Sequence, residues 1–306
     1  MHRQAVAHAT LATWNFAEDE QIVPGRHAVA LLGGGERSEA WLAWDERMHT
    51  LVVAKLVRPD LVDDDRAMRA LEREGEVLAR LAHPHIVRCF DTVIDGPRPH
   101  LVLEALDGPR LSSLLRRFGP LAPEQIVPLA VEVGSALEFM HDSGHVHLDV
   151  KPRNLIMGAT PKLIDLGIAR TFEEIARLDS PIGTDAYMAP EQTAAETVST
   201  AGPHSDAWGL AVTLYEALEG RLPFDAADTA AGEPLANSRP ERYPQRTQHP
   251  SPLRRQAHPT IEAVLRAGLV KDHAARASVG EIRNALEELL PAARQTARRR
   301  LRRRHR

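Results

Sequence analysis

The period of the hydrophobic pattern changes once along this 306-residue chain, near residue 105, and that change limits the folds open to it. Before it, apolar residues alternate or gather in short β-rich runs. "HAVALLGGGERSEAWLAWD" (27–45) alternates around three glycines, and "TLVVAKLV" (50–57) stops short of Pro59. "HIVRCFDTVI" and "HLVLEAL" add two more strands across a turn at "DGPRP". One helical stretch interrupts, over 64–81, with Ala67, Leu71, Leu78 and Leu81 on one face and Glu74 inside that stripe. After residue 105 the helical period takes over. Pro123 opens a helix carrying Ile126, Ala130, Val133, Leu137 and Met140, and Gly144 lies just past its end. Short strands are expected around 154–157 and 162–164, and a strongly apolar helix over 205–220. The proline-rich stretch 223–259 reads as loop, and Ser278 with Glu281 forms a capping box that starts a last helix. Residues 1–20 have weak periodicity and predict a loose lead-in. The length predicts two domains or lobes, with a cleft between a strand-rich first lobe and a helical second one.

Composition excludes several classes. One cysteine, Cys89, allows no internal disulfide framework and fits a reducing cytoplasm. No apolar run approaches the roughly 18–20 residues that span a bilayer, and the first residues carry no secretory signal pattern. Net charge is −4, but residues 294–306 hold eight arginines and no acid, so the remainder carries −12. The tail reads as a solvated segment or as a contact for an anionic partner such as a lipid surface, nucleic acid or acidic protein. No aromatics interleave its arginines, which argues against specific nucleic-acid recognition.

Polar residues placed against these elements need an explanation. Glu74 on an apolar helix face is costly unless it meets a cation, and Lys55 at the end of a strand is a candidate. "HVHLDVKPRN" (145–154) packs Asp149, Lys151 and Asn154 into six residues. Asn154 and Asp165 are oxygen donors in or beside loops, the kind that suits Mg²⁺ with few protein ligands. Singly, each has an ordinary reading: the glycines as a flexible turn, the lysine as a solvated cation.

Together, in order and spacing, these residues resemble the eukaryotic-type (Hanks-type) protein kinase family from about 30 to 290, and bacterial serine/threonine kinases most of all. "LGGGERSEAWLA" (32–43) looks like the glycine-rich loop, "VVAK" like the strand that ends on its lysine, and "HLDVKPRN" like the catalytic loop. "DLG" (165–167) stands for Asp-Phe-Gly, and "GTDAYMAPEQ" (183–192) matches the substrate loop. The resemblance implies an α+β bilobal fold: a small antiparallel sheet with one helix over about 26–104, and a mainly helical lobe over about 107–290. A lead-in (1–25) and an arginine-rich tail (291–306) flank it. It implies ATP with Mg²⁺, or Mn²⁺ in its place, and protein substrates bearing Ser or Thr. The nucleotide would meet Leu32, Gly33, Gly35, Ala40, Val53, Lys55, Leu103, Glu104, Leu106 and Ile156. Asp149, Lys151, Lys55 and Glu74 would serve catalysis, and Asn154 and Asp165 the metal. Thr184, Glu191, Asp206 and Arg276 would shape the substrate loop and its anchors, with Glu191 and Arg276 as a buried pair.

Departures from the family pattern carry their own implications. Ser38 replaces the third glycine of the loop. Ala40 and Val53 exchange the usual residues of the adenine roof at conserved volume. Leu166 replaces phenylalanine in an apolar stack with Leu78, Cys89 and His147, where Cys89 reads as a small hydrophobe. Leu148 stands where the family usually has arginine, the partner of a phosphate on the activation loop. Residues 169–184 carry Glu173, Glu174 and Asp179, and their hydroxyls before Thr184 are Thr171 and Ser180, near the ends. Activity independent of loop phosphorylation is therefore expected. The alternatives are a nucleotide-binding pseudokinase scaffold and, on a related fold, a small-molecule phosphotransferase.

Overall fold

The computed structural model describes residues 11–224 and 242–292. The described residues form two compact units, those up to 80 with 87–105, and 81–86 with those from 106 onward.

The first unit is a six-stranded antiparallel sheet and one helix. Its strands are β1 (Gln21–Val23), β2 (Arg26–Gly34), β3 (Ser38–Asp45), β4 (Thr50–Val57), β5 (Cys89–Val93) and β6 (His100–Glu104), in spatial order β1-β2-β3-β4-β6-β5. Helix α1 (Asp65–Arg80) packs on β4, β5 and β6, and buries Ala67, Leu71 and Leu78 as the periodicity predicts, together with Val77. Strand register pairs Ala40 with Lys55, Leu42 with Val53, and Val53 in turn with Leu103, so Ala40, Val53, Lys55 and Leu103 share one face of the sheet. The opposite face carries Trp41, Ala43, Val52, Ala54, Leu56 and Val102 in a core cluster.

Phe16 and Ile22 complete that cluster, with Trp14 packed against it. The expectation of a loose lead-in over 1–20 is thus corrected for its described part. These aromatic and aliphatic side chains carry no period, yet they cover an apolar sheet face that would otherwise meet water. The sheet also begins before residue 26, at Gln21.

The second unit is mainly helical: α2 (Leu111–Phe118), α3 (Pro123–Asp142), α4 (Phe172–Ile175), α5 (Pro203–Glu219), α6 (Pro259–Gly268) and α7 (Val279–Glu287). Short strand pairs are embedded among them, β7 (His145–Val146) with β10 (Arg170–Thr171) and β8 (Leu155–Met157) with β9 (Pro161–Leu163). Helix α5 is buried on nearly all sides, from Ser205 to Leu218 with the exception of Glu216, and packs against α3, α6 and α7. Among its described residues the expected loop at 223–259 includes a short 3-10 turn, Pro244–Arg246. Its middle, 225–241, lies outside the described residues, as does the arginine-rich tail from 293 onward. Among the described residues no helix is long and apolar enough to cross a membrane.

Candidate active site

The polar residues singled out in the first unit meet as expected. Lys55 Nζ donates to both Glu74 oxygens at 2.7 Å. Glu74 is 2% exposed, and this fork is what makes a carboxylate tolerable on the buried face of α1. Ala40 and Val53 are half-buried beside Lys55, Leu103 is buried, and Glu104 is half-buried at the end of β6. Leu32 is exposed on β2, and Gly33 stands opposite Ala40 with a φ of 132° that a side chain would resist. Gly35 heads the turn into β3.

In the second unit, the segment between β7 and β8 carries a connected polar centre. Thr184 Oγ1 donates to Asp149 Oδ1 at 2.7 Å. Lys151 Nζ reaches Asp149 Oδ2 and Thr184 Oγ1, each at 2.5 Å. Asn154 Nδ2 donates to the Asp149 carbonyl at 2.9 Å and to Asp149 Oδ2 at 3.2 Å. These donations fix the Asn154 amide so that Oδ1 is the atom it presents elsewhere. The backbone N–H of Ile164 donates to the Asn154 carbonyl at 2.8 Å, which brings Asn154 and Asp165 to the same end of the β8–β9 pair. An amide oxygen and a carboxylate so placed form a hard, sparse donor set. That set fits Mg²⁺, which keeps phosphate and water oxygens among its ligands. Among the described residues no cluster of three or more His, Cys, Asp or Glu forms a self-sufficient metal cage. Leu106 and Ile156 are half-buried, and Ile156 is bridged through its backbone to Arg110.

Two residues of this centre have left-handed backbones, Leu148 with φ 64° and Asp165 with φ 66°. For leucine that conformation costs about 1–2 kcal/mol. Asp206, 1% exposed on α5, holds it: its carboxylate accepts from the consecutive N–H groups of His147 and Leu148, both at 2.8 Å, with His141 Nε2 also at 2.8 Å. On the other side Gln192 Nε2 donates to the carbonyls of Leu148 and Ile182, both at 2.9 Å. Gly183 passes close by, where a Cβ would lie 2.8 Å from the Leu148 carbonyl. The Leu148 side chain is buried with Val146, Ile175 and Ala201, and Ile168, Leu178 and Ile182 pack on that cluster.

Glu191 and Arg276 form the expected buried pair. Nη1 meets Oε1 at 2.7 Å and Nη2 meets Oε2 at 2.9 Å. Burial pushes the Glu191 carboxyl up, but the hydrogen bonds and charge of Arg276, with Ser205, hold it below its ordinary value. Leu78, His147 and Leu166 are buried, whereas Cys89 is only half-buried. Burial raises the Cys89 thiol pKa, and its Sγ lies 3.3 Å from the Asp91 carbonyl.

Several residues of the site have roles that the sequence does not assign to them. Gln192 ends the substrate-loop motif, where the sequence gives it no role of its own. Arg242 pairs with Asp185 (Nε to Oδ2 2.7 Å), and Gln245 Nε2 donates to the carbonyls of Asp185 at 2.8 Å and Met188 at 3.0 Å. Both belong to a proline-rich stretch with no period, so no local signal points to them. Tyr187 donates to Glu216 Oε2 at 2.6 Å, and burial raises the pKa of both groups.

Comparison with known proteins identifies the family. The family described as "Protein kinase domain" matches residues 26–287. The chain is 37% identical over 203 residues to the serine/threonine-protein kinase PknB of Mycobacterium leprae, covering 63% of this chain and 32% of that protein. It is 35% identical over 254 residues to PknB of Mycolicibacterium smegmatis, covering 79% of this chain and 39% of that protein. With PknD of Mycobacterium tuberculosis it shares 31% identity over 273 residues, 87% of this chain and 40% of that protein. The chain therefore spans about a third to two fifths of the length of these curated relatives.

Proposed function

The chain belongs to the protein kinase domain family, and from that premise we propose that it transfers the γ-phosphate of ATP to Ser and Thr hydroxyls of proteins. The observation that carries this reading is the closed set of hydrogen bonds among Asp149, Lys151 and Thr184. Phosphoryl transfer passes through a loose, charged transition state, so positioning and electrostatics govern its rate. The incoming hydroxyl oxygen bonds to phosphorus as the bond to the ADP oxygen breaks, and Asp149 takes the hydroxyl proton. Thr184 and Lys151 hold the Asp149 carboxylate in place, and the Lys151 ammonium offsets charge on the moving group. Asn154 and Asp165 would hold Mg²⁺, which when bound neutralises the phosphates. Lys55, oriented by Glu74, would contact the nucleotide phosphates from the face it shares with Ala40, Val53 and Leu103.

This kinase does not wait for phosphate on its activation loop. Leu148, where the family usually has arginine, leaves no buried cation there to neutralise. Its place is filled by the apolar cluster with Ile168, Ile175, Leu178 and Ile182, which ties the segment 168–182 to the catalytic loop. Thr171, one of the two candidate hydroxyls, already caps α4: it accepts from Glu174 N–H at 3.2 Å and donates to Glu174 Oε2 at 3.2 Å. Phosphatase-treated protein given labelled ATP, Mg²⁺ and a generic basic protein is expected to transfer label from the first time point. A lag that ends as phosphate accumulates on Thr171 or Ser180 would overturn the phosphate-independent reading and leave the kinase reading standing. Leu148→Ala is expected to lower stability by about 2–3 kcal/mol in urea unfolding, from lost burial and an unfilled cavity.

A further inference from the structure

The turn between β2 and β3 is gripped from outside the nucleotide face. Arg58, 8% exposed just after β4, donates through Nε to the Gly35 carbonyl at 2.8 Å, and its backbone N–H donates to the Arg37 carbonyl at 3.0 Å. The fit is close, because a Cβ on Gly34 would lie 2.7 Å from the Ser38 carbonyl and 3.1 Å from Arg58 Nη2. Through Nη1 the same guanidinium donates to the Ala12 carbonyl at 2.5 Å and meets Glu39 Oε1 at 3.2 Å.

Glu39 is 1% exposed, and its oxygens also accept from the backbone N–H of Trp14 at 3.2 Å and from Trp41 Nε1 at 2.8 Å. Trp14 Nε1 donates to the Val57 carbonyl at 2.8 Å, and Phe16 packs edge-on against Trp41 with ring centroids 5.2 Å apart. Arg98 spans the strap from above, 5.4 Å from the Trp14 ring and 4.8 Å from the Phe16 ring. One buried cation thus joins the segment 12–16 to the glycine-rich turn. A buried Arg–Glu pair is seldom needed for stability alone, since apolar residues of like volume often serve as well. Here the planar fork is used to bind three backbone and side-chain acceptors at fixed angles, a geometry that a lysine does not reproduce.

We infer that Arg58 is a positioning residue for the nucleotide loop, and that the strap Ala12–Phe16 sets its grip. The inference rests on the reading of residues 32–38 as that loop. A turn held in one conformation binds the phosphates of ATP without first losing the freedom to move.

The test uses the full chain with Arg58→Lys, Trp14→Ala and the double variant. The measurements are steady-state kinetics, binding of a fluorescent ATP analogue with Mg²⁺, and amide hydrogen exchange. Arg58→Lys keeps a cation beside Glu39 and loses the fork. It is expected to raise the ATP KM about tenfold, the scale of one hydrogen bond to a charged group, with kcat within about twofold. The KM for the protein substrate stays at the wild-type value, and the amides of 35–38 exchange faster. Trp14→Ala moves the ATP KM in the same direction, and the double variant is no worse than Arg58→Lys alone. Variants that lose thermal stability while keeping wild-type ATP KM and exchange would overturn the inference, as would additive effects in the double variant. A wild type that binds no nucleotide would remove the loop reading and the inference with it. That result is distinct from a wild type that binds and an Arg58→Lys variant that matches it.

Discussion

Asp149→Asn is expected to lower turnover of labelled phosphate onto protein by about 10³-fold, with the ATP KM within about twofold. The substitution keeps shape and volume and removes the proton acceptor. It also sets an amide N–H₂ against donors. If Oδ1 is kept for Thr184, the new Nδ2 faces Lys151 Nζ at 2.5 Å and Asn154 Nδ2 at 3.2 Å, all of them donors. The rate loss thus has two sources, a missing base and a disturbed carboxylate pocket. Lys151→Met leaves Asp149 and its Thr184 hydrogen bond but removes both the pocket cation and the charge it offers the moving group, so its rate loss bounds the part that does not come from the missing base. Lys55→Met is a less clean comparison, since it removes the ammonium that both oxygens of the buried Glu74 carboxylate accept from and mixes a folding defect with a catalytic one. Transfer by Asp149→Asn at the wild-type rate would show that Asp149 is not the acceptor. Nucleotide binding without transfer in the wild type would favour a scaffold role.

The residues that carry this chemistry are legible in the sequence because each is a polar group in a place where burial or spacing makes it expensive. Glu74 in the stripe of α1 requires a cation, and Lys55 supplies it. Asp149, Lys151 and Asn154 lie within six residues, so their contact follows from local chain geometry. The two-unit division follows from the change of period near 105. What the sequence hides depends on long-range packing. Trp14 and Phe16 sit in a stretch without period, so nothing local ties them to the face of a sheet formed by strands between Gln21 and Glu104. The clamp of Arg242 and Gln245 on the substrate loop joins segments nearly sixty residues apart. The reading of Leu148 as a lost charge is incomplete in the same way: its left-handed backbone and its apolar partners are set by Asp206, Gln192 and the segment 168–182. Cys89, which reads as a small hydrophobe within a stack, is half-buried because β5 forms an edge of the sheet.

Arg276→Met is expected to destabilise the protein by about 3–5 kcal/mol at neutral pH, measured by urea unfolding, because it strands a charge at depth. Arg276 is 3% exposed, and its guanidinium donates to both Glu191 oxygens and to the carbonyls of Val270, His204 and Lys271, at 2.7–3.1 Å. It also lies 5.0 Å from the Trp208 ring centroid. Methionine fills part of the volume and satisfies none of these acceptors. Arg276→Lys restores the charge but not the fork, and is expected to recover only part of the loss. Adding Glu191→Gln to Arg276→Met removes the stranded charge, so the double variant is expected to be more stable than Arg276→Met alone. The pH dependence gives an independent check. In the wild type the Glu191 carboxyl titrates below its ordinary value, so its contribution is fully present above pH 4.5 and is lost as pH falls through the folded pKa. Without Arg276 the two largest influences that lower the Glu191 pKa are gone; burial is then opposed only by the Ser205 hydroxyl and a backbone N–H, so the pKa is expected to rise and protonation to relieve the variant as pH falls. The stability gap between wild type and Arg276→Met therefore narrows from neutral pH toward about pH 4 and below. A gap that stays constant over that range would mean the pair contributes through packing on Trp208 rather than through its charges.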